Sequence, residues 1–284
     1  MEIHFHKMQG LGNDFVVTDS VNQAIDLNEA QRRLIADRHR GIGCDQILLI
    51  EPSDDENHDF IYRIYNADGG EVEQCGNGAR CITRYVIEKG LTTNTSLRFK
   101  TSTGSLFCEV LANGDIRVDM GVPRFSAASL PFDPQQATAN LDQSDISYQI
   151  NDGKQSIDFA IASMGNPHAV IQTGNVANAP VHQQGALLGQ HAAFPKGVNV
   201  GFMQLMAGDH IKLRVFERGA GETQACGTGA CAAVAVGRRL GLLNDSVNVE
   251  LPGGTLHIAW SGSDEASLTM SGPAEFVFNG KINL

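Results

Sequence analysis

Tyr65-Asn66-Ala67-Asp68-Gly69-Gly70-Glu71-Val72-Glu73-Gln74-Cys75-Gly76-Asn77-Gly78-Ala79 has a near copy later in the chain, Phe216-Glu217-Arg218-Gly219-Ala220-Gly221-Glu222-Thr223-Gln224-Ala225-Cys226-Gly227-Thr228-Gly229-Ala230. A shift of 151 positions superposes Gly70 on Gly221, Glu71 on Glu222, Cys75 on Cys226, Gly76 on Gly227 and Gly78 on Gly229. Arg63-Ile64-Tyr65 falls on Arg214-Val215-Phe216 at the same shift. With shifts of 153 and 150 the match runs outward: Gly12-Asn13 meets Gly165-Asn166, Val17 meets Val170, Met120 meets Met270 and Pro123 meets Pro273. Matches in the same order, in two long copies with no short period, indicate a duplicated domain and not a solenoid.

The length of 284 residues suffices for two domains of ordinary size, and an apolar content of 42% is that of a globular chain. A net charge of −11 provides no footprint for nucleic acid, which needs basic groups to neutralise phosphates, nor for an anionic membrane. The start, Met1-Glu2-Ile3-His4-Phe5-His6-Lys7, has no apolar signal core, and no apolar run approaches a membrane span. A soluble, cytosolic protein is expected. The six cysteines, at 44, 75, 81, 108, 226 and 231, form no C-x-x-C pair, and their spacing does not suit zinc. Free thiols and no metal are expected.

Alternating segments such as Phe60–Tyr65 and Ile211–Phe216 predict strands. Asn113-Gly114, Asp152-Gly153 and Gly253-Gly254 each separate two strand-like runs, a hairpin signal. One helix is predicted from Asn28, as N-cap, to a stop at Gly41, and another from about Gly78 to Lys89. Ala230-Cys231-Ala232-Ala233-Val234-Ala235-Val236 is apolar on all sides and predicts a buried helix. Arg238-Arg239 suits its C-terminal dipole and Gly241 its stop. A buried helix in a strand-rich domain implies a curved sheet wrapped around it. The Pro131-Phe132-Asp133-Pro134 stretch and residues 140–144 read as linker or surface loop, which puts the boundary between halves near 121–135.

Cys75 and Cys226 each precede a Gly-x-Gly that opens a helix. The first helical N–H groups lack internal partners and the dipole is positive there. Such an end is expected to lower a thiol pKa from about 8.5 and to hold a carboxylate. Glycines 76, 78, 227 and 229 are expected to let a ligand approach the backbone. Two thiols placed alike in two halves suit removal of a proton from one face of a carbon and its return to the other. Cys44, Cys81, Cys108 and Cys231 read as buried apolar residues.

Cys75-Gly76-Asn77-Gly78-Ala79-Arg80-Cys81 and Gly221–Gly229 resemble the two signature motifs of the diaminopimelate epimerase family. Gly10–Phe15, Gly43–Gln46, Met164–His168 and Gly197–Asn199 resemble its other motifs, in order. The resemblance implies an α+β fold of two pseudo-symmetric domains, each a curved, mostly antiparallel sheet around a central helix. It implies a first half of 1–122 with the C-terminal strand 273–284, a second half of 123–272, and an active site in the cleft between them. It further implies a cofactor-independent isomerase that interconverts LL- and meso-2,6-diaminopimelate, on the lysine and peptidoglycan precursor route, as a homodimer. Cys226 would be the base for the LL substrate and Cys75 the acid. Gly76-Asn77 and Gly227-Thr228 would hold the reacting carboxylate, and Arg218 the distal one. Asn13, Asn66, Asn166 and Asn199 would form a polar cage for the distal end, and Gln46 would help position the substrate. His168 and Glu217 would each stand near a catalytic cysteine and set its proton inventory. Asp14, Asp68, Glu71 and Glu222 read as loop-shaping or capping groups.

Proline racemase and hydroxyproline epimerase share the two-cysteine plan but need no distal cage, so Arg218 and the asparagines favour a longer substrate with a second charged end. Phenazine-type isomerases lack the cysteine pair. A dithiol redox protein would show C-x-x-C or an exposed resolving thiol, and an amino-acid-binding module has no use for two thiols.

Overall fold

The computed structural model describes residues 1–72, 75–140, 144–151, 153 and 155–284. The chain divides into two compact units, Met1–Asp119 with Ser271–Leu284, and Met120–Met270. These divisions fall two or three residues before those expected. The Pro131–Pro134 stretch is not a linker. It lies inside the second unit, where the Phe132 ring is 4.7 Å from Tyr148 and 5.0 Å from Phe194, and the Asp133 amide donates to the Ala193 carbonyl at 2.8 Å. An apolar ring between two prolines found a core to enter.

In the first unit, strand Glu2–Gly10 runs antiparallel to Asn13–Asp19, which is parallel to Gln46–Pro52, which is antiparallel to Phe60–Asn66. Phe60–Asn66 continues through a parallel pairing with Ser96–Thr101, and the antiparallel strands Gly104–Val110 and Ile116–Asp119 complete the run. The C-terminal strand Glu275–Asn283 closes the other side, antiparallel to Glu2–Gly10, with Ile3 opposite Ile282. Helix α1, Glu29–Ala36, starts at Asn28 as expected, through a capping box with Gln31. It ends at Ala36, not at Gly41. The Asp37 carboxylate accepts the amides of His39 and Arg40 and turns the chain away. Gly41 then passes so close beneath the helix that a Cβ would sit 1.7 Å from the Leu34 carbonyl oxygen. Helix α2, Gly76–Glu88, begins two residues earlier than expected because Cys75 itself is the N-cap. Its buried residues Asn77–Thr83, Tyr85 and Val86 pack on strands from both sides of the sheet, which therefore curves around it.

The second unit repeats this plan. Pro167–Gln172 is parallel to Asn199–Ala207, which is antiparallel to His210–Glu217, and that strand pairs in parallel with Ser246–Leu251. Even the register is duplicated: Phe15 lies opposite Gln46 and His168 opposite Asn199, Tyr65 opposite Glu71 and Phe216 opposite Glu222. Helix α3, Val181–Gln190, covers Asn199–Ala207 and His210–Glu217. Helix α4, Gly227–Arg239, is capped by Cys226 and buried from Gly229 to Gly237, with Arg238 and Arg239 in its last turn. Thus the apolar run of the sequence is the central helix. Ser147–Asn151 takes the closing position that Glu275–Asn283 takes in the first unit, antiparallel to Ser156–Ser163. The hairpin at 251–254 turns on Pro252-Gly253, since Gly254 already pairs with Leu251. Asp152 and residues 141–143 of the expected turn and loop lie outside the described residues. Among the described residues no helix is long and apolar enough to cross a membrane.

Candidate active site

The first unit gathers polar groups at the start of α2. The Gly78 amide donates to Cys75 Sγ at 3.3 Å, so an otherwise orphaned helical N–H is directed at the sulfur. Asn13 Oδ1 stands 3.8 Å from Cys75 Sγ and accepts from Asn77 Nδ2 at 3.4 Å. Asn13 is oriented in turn by donation to Asp45 Oδ2 at 2.8 Å, and Arg38 joins Asp45 to Asp14. Arg80, fully buried, donates from Nη1 to Asn77 Oδ1 at 3.0 Å and from Nε to the Pro273 carbonyl. A second pair forms on neighbouring strands, where Gln46 Nε2 donates to Asn66 Oδ1 at 2.9 Å. Asp45 and Arg80 were missed by the sequence reading although both lie within quoted motifs. Asp45 reaches Asn13 from 32 positions away in sequence, and Arg80 reaches Asn77 from three.

The second unit forms the counterpart at the start of α4. Cys226 Sγ donates to Glu217 Oε2 at 3.1 Å, and Thr223 Oγ1 donates to the other oxygen, Oε1, at 2.6 Å. Thr228 Oγ1 lies 3.7 Å from Sγ and accepts from Asn166 Nδ2 at 3.2 Å. Asn166 Oδ1 accepts from His168 Nε2 at 3.0 Å, which assigns the proton to Nε2 of a neutral ring. His168 is thereby linked to Cys226 through Asn166 and Thr228. Its imidazole is held down to about 3 by burial, aided by the Arg218 charge. Asn199 spans Pro167 and Arg218, donating to the Pro167 carbonyl at 3.2 Å and accepting the Arg218 amide at 2.9 Å. The Arg218 guanidinium donates to the Lys196 carbonyl at 3.0 Å. Thr223, also missed, stands within the quoted Gly221–Gly229 motif.

Asn13 with Asn77 and Asn166 with Thr228 are the same pairing twice. Both amides attend the helix start. The two interior motif glycines are required by the protein's own packing. A Cβ on Gly78 would meet Tyr62 Oη at 2.4 Å, and one on Gly229 would meet Val215 Cγ2 at 3.1 Å and Cys226 Sγ at 3.2 Å.

The expectation that a helix start lowers both thiol pKa values fails at Cys226. Burial raises its pKa well above the usual cysteine range, and the Glu217 charge and hydrogen bond add to this. The Gly229 amide and Thr228 hydroxyl oppose the shift without reversing it. Cys226 is 4% exposed, and at neutral pH it is a thiol hydrogen-bonded to Glu217. Burial also pushes Cys44, Cys81 and Cys108 up to about 12, in keeping with their reading as packing residues. Among the described residues no group of three or more His, Cys, Asp or Glu side chains is arranged to hold a metal ion.

Comparison with known proteins adds to this geometry. The sequence pattern of the diaminopimelate epimerase family matches residues 5–126 and 160–277. A diaminopimelate epimerase from Thioalkalivibrio sulfidiphilus is 50% identical over 285 residues, covering 100% of both chains. A phenazine biosynthesis protein of the PhzF family from Bacillus anthracis superposes over 100% of both chains with a TM-score of 0.72 at 16% identity. A hydroxyproline epimerase from Agrobacterium vitis, with bound trans-4-hydroxy-L-proline, superposes with a TM-score of 0.70 at 16% identity, over 99% of this chain and 92% of its own. At such identities the two structures establish a common fold only.

Proposed function

The chain belongs to the diaminopimelate epimerase family, and from that premise we propose that it interconverts LL- and meso-2,6-diaminopimelate by proton transfer between Cys226, Cys75 and one α-carbon. It is an isomerase. The observation that carries the mechanism is the duplicated placement of a cysteine as N-cap of the central helix in each unit. The proposed reaction draws on the protein's own side chains and backbone and calls for no cofactor.

With the LL substrate, Cys226 Sγ passes its proton to Glu217 Oε2 and becomes a thiolate. A thiol that is hard to ionise gives a strongly basic thiolate, suited to a weakly acidic α-hydrogen. The thiolate takes the α-proton, and Cys75 Sγ–H delivers its proton to the opposite face. The carbon is inverted, Cys226 is again a thiol and Cys75 is a thiolate. Return of the Glu217 proton to Cys75 through solvent restores the starting state. With the meso substrate the thiols exchange roles. The N–H groups at Gly76-Asn77 and Gly227-Thr228 would hold the reacting carboxylate and stabilise the charge that develops on it. Arg218 would meet the distal carboxylate, with Asn13, Asn66, Asn166, Asn199 and Gln46 reading the rest. His168, kept neutral, would add no cation that shifts the thiol equilibrium.

The acting form is proposed to be a cytosolic homodimer, a reading supported by the family resemblance alone and checked by sedimentation equilibrium. The reaction is tested in deuterated, reducing buffer with LL-2,6-diaminopimelate. Deuterium should enter the inverted α-carbon with wild type and fail to do so with Cys75→Ala and Cys226→Ala. Turnover of proline or hydroxyproline instead would keep the mechanism and move the substrate. Absence of α-carbon exchange with all three would refute proton transfer.

A further inference from the structure

The strand scaffold around each cysteine is duplicated, but the groups that hold Glu217 are not. Glu217 lies nine residues before Cys226, and the equivalent place before Cys75 is Asn66. Thr223 pairs with Val215 across the Val215–Glu217 and Gly221–Thr223 strands, so it is the diagonal neighbour of Glu217 on one face. Directly opposite Glu217 stands Gly221, which has no side chain to offer. In the first unit the place of Thr223 is taken by Val72, paired with Ile64 in the same register. A hydroxyl therefore occurs in the copy with the carboxylate and is replaced by a methyl in the copy with the amide.

The strand bearing Thr223 is anchored. Glu222 takes a two-pronged bond from Arg214 at 2.6 and 2.9 Å, and the same guanidinium donates to the Val176 and Ala177 carbonyls. The first unit keeps the equivalent Arg63–Glu71 pair at 3.2 Å. Anchoring is thus common to both copies, and what it presents differs.

We infer that Thr223 is a positioning residue: its hydroxyl fixes Glu217 through Oε1, so that Oε2 faces the Cys226 thiol. The 2.6 Å bond to one oxygen and the 3.1 Å bond to the other use both ends of the carboxylate. With Oε1 released, the carboxylate turns about its terminal torsion, which has only a shallow preference of its own. The inference rests on the proposed epimerase reading for its effect on turnover but not for its effect on the thiol.

The experiment compares Thr223→Val and Thr223→Ser. Loss of one hydrogen bond to a charged group predicts a fall in kcat of roughly 10- to 100-fold in Thr223→Val, with KM within about twofold and with Thr223→Ser near wild type. Thiolate absorbance, referenced to matched Cys226→Ala proteins, should show more ionised Cys226 at about pH 9 in Thr223→Val than in wild type, and no change in Thr223→Ser. In a Glu217→Gln background Thr223→Val should cost less than about twofold more, since a residue acting through Glu217 has nothing left to position. An unmoved thiolate signal, or the full loss repeated in the Glu217→Gln background, overturns the inference. If wild type exchanges no α-proton of diaminopimelate, the epimerase reading falls, while the thiolate comparison still decides the role of Thr223.

Discussion

At the strand end nine residues before its cysteine, the first half carries Asn66 and the second Glu217, although both strands pair in one register. The amide is fastened to Gln46, and the carboxylate to the cysteine itself. The neutral amide of Asn13 stands 3.8 Å from Cys75, while Cys226 is enclosed and paired with a charge. Duplication supplied two like helix starts, and divergence of single residues placed a carboxylate against the Cys226 thiol, which burial and that charge hold well above the usual cysteine range. A reaction that returns a proton to the opposite face needs unlike partners at each instant, and here one thiol is provided with its own acceptor.

The comparison breaks first at Glu217. Glu217→Gln should lower kcat about 100-fold, the usual cost of removing one proton-transfer group. Asn66→Ala should act mainly on KM. Steady-state rates in both directions check this, and equal effects on kcat would abolish the distinction.

Gly78→Ala should destabilise the chain by about 2 kcal/mol, because the new methyl meets the buried Tyr62 hydroxyl. Gly229→Ala, with looser neighbours and a gain in helix propensity, should stay within about 1 kcal/mol of wild type. Urea unfolding of both variants measures the difference.

The third contrast sets His168 against its counterpart Phe15. In the unfolded chain an imidazole takes a proton near 6.5, whereas folded His168 resists it down to about 3. Its contribution is fully present above about pH 6.5 and is lost as pH falls toward 3, about 2 kcal/mol by pH 5. Between pH 7 and 5 wild type should therefore lose about 2 kcal/mol more stability than His168→Gln. Equal losses would show that the ring is not buried uncharged.

The smallest contrast lies in the duplicated ion pairs. Arg214 and Glu222 are 24% and 18% exposed, Arg63 and Glu71 41% and 37%. Glu222→Gln should cost about 1–2 kcal/mol and Glu71→Gln less than about 1 kcal/mol, read from thermal unfolding.

Much of the architecture was legible because it was written twice. The shift of 151 fixed which strands and helices correspond, and the apolar run 230–236 announced a helix with no solvent face. The end of α1 was not legible, since Asp37 stops it with a side-chain turn while Gly41, the apparent signal, serves a close crossing. The side chains that gather at the two helix starts were legible, and the state of the Cys226 thiol was not. A helix start beside a thiol argues for a lowered pKa, but burial and Glu217 outweigh it at Cys226, and burial appears only when the chain is folded. Gly78 suggested room for a ligand, whereas the neighbour that forbids a side chain there, Tyr62, lies sixteen residues away on a strand.

The strand that closes the first unit is the last one in the chain. Glu275–Asn283 lies against Glu2–Gly10, and Met1 and Leu284 bond to each other through their backbones. During synthesis the N-terminal half thus emerges first and is completed last. At about 5–20 residues per second it waits roughly 10–30 s, with the edge of Glu2–Gly10 unpaired, while the second unit is made. The second unit takes its closing strand, Ser147–Asn151, from its own stretch of chain. The half that holds Cys75 is therefore the one exposed to mispairing on the ribosome, and the strand Glu275–Asn283 acts as its latch.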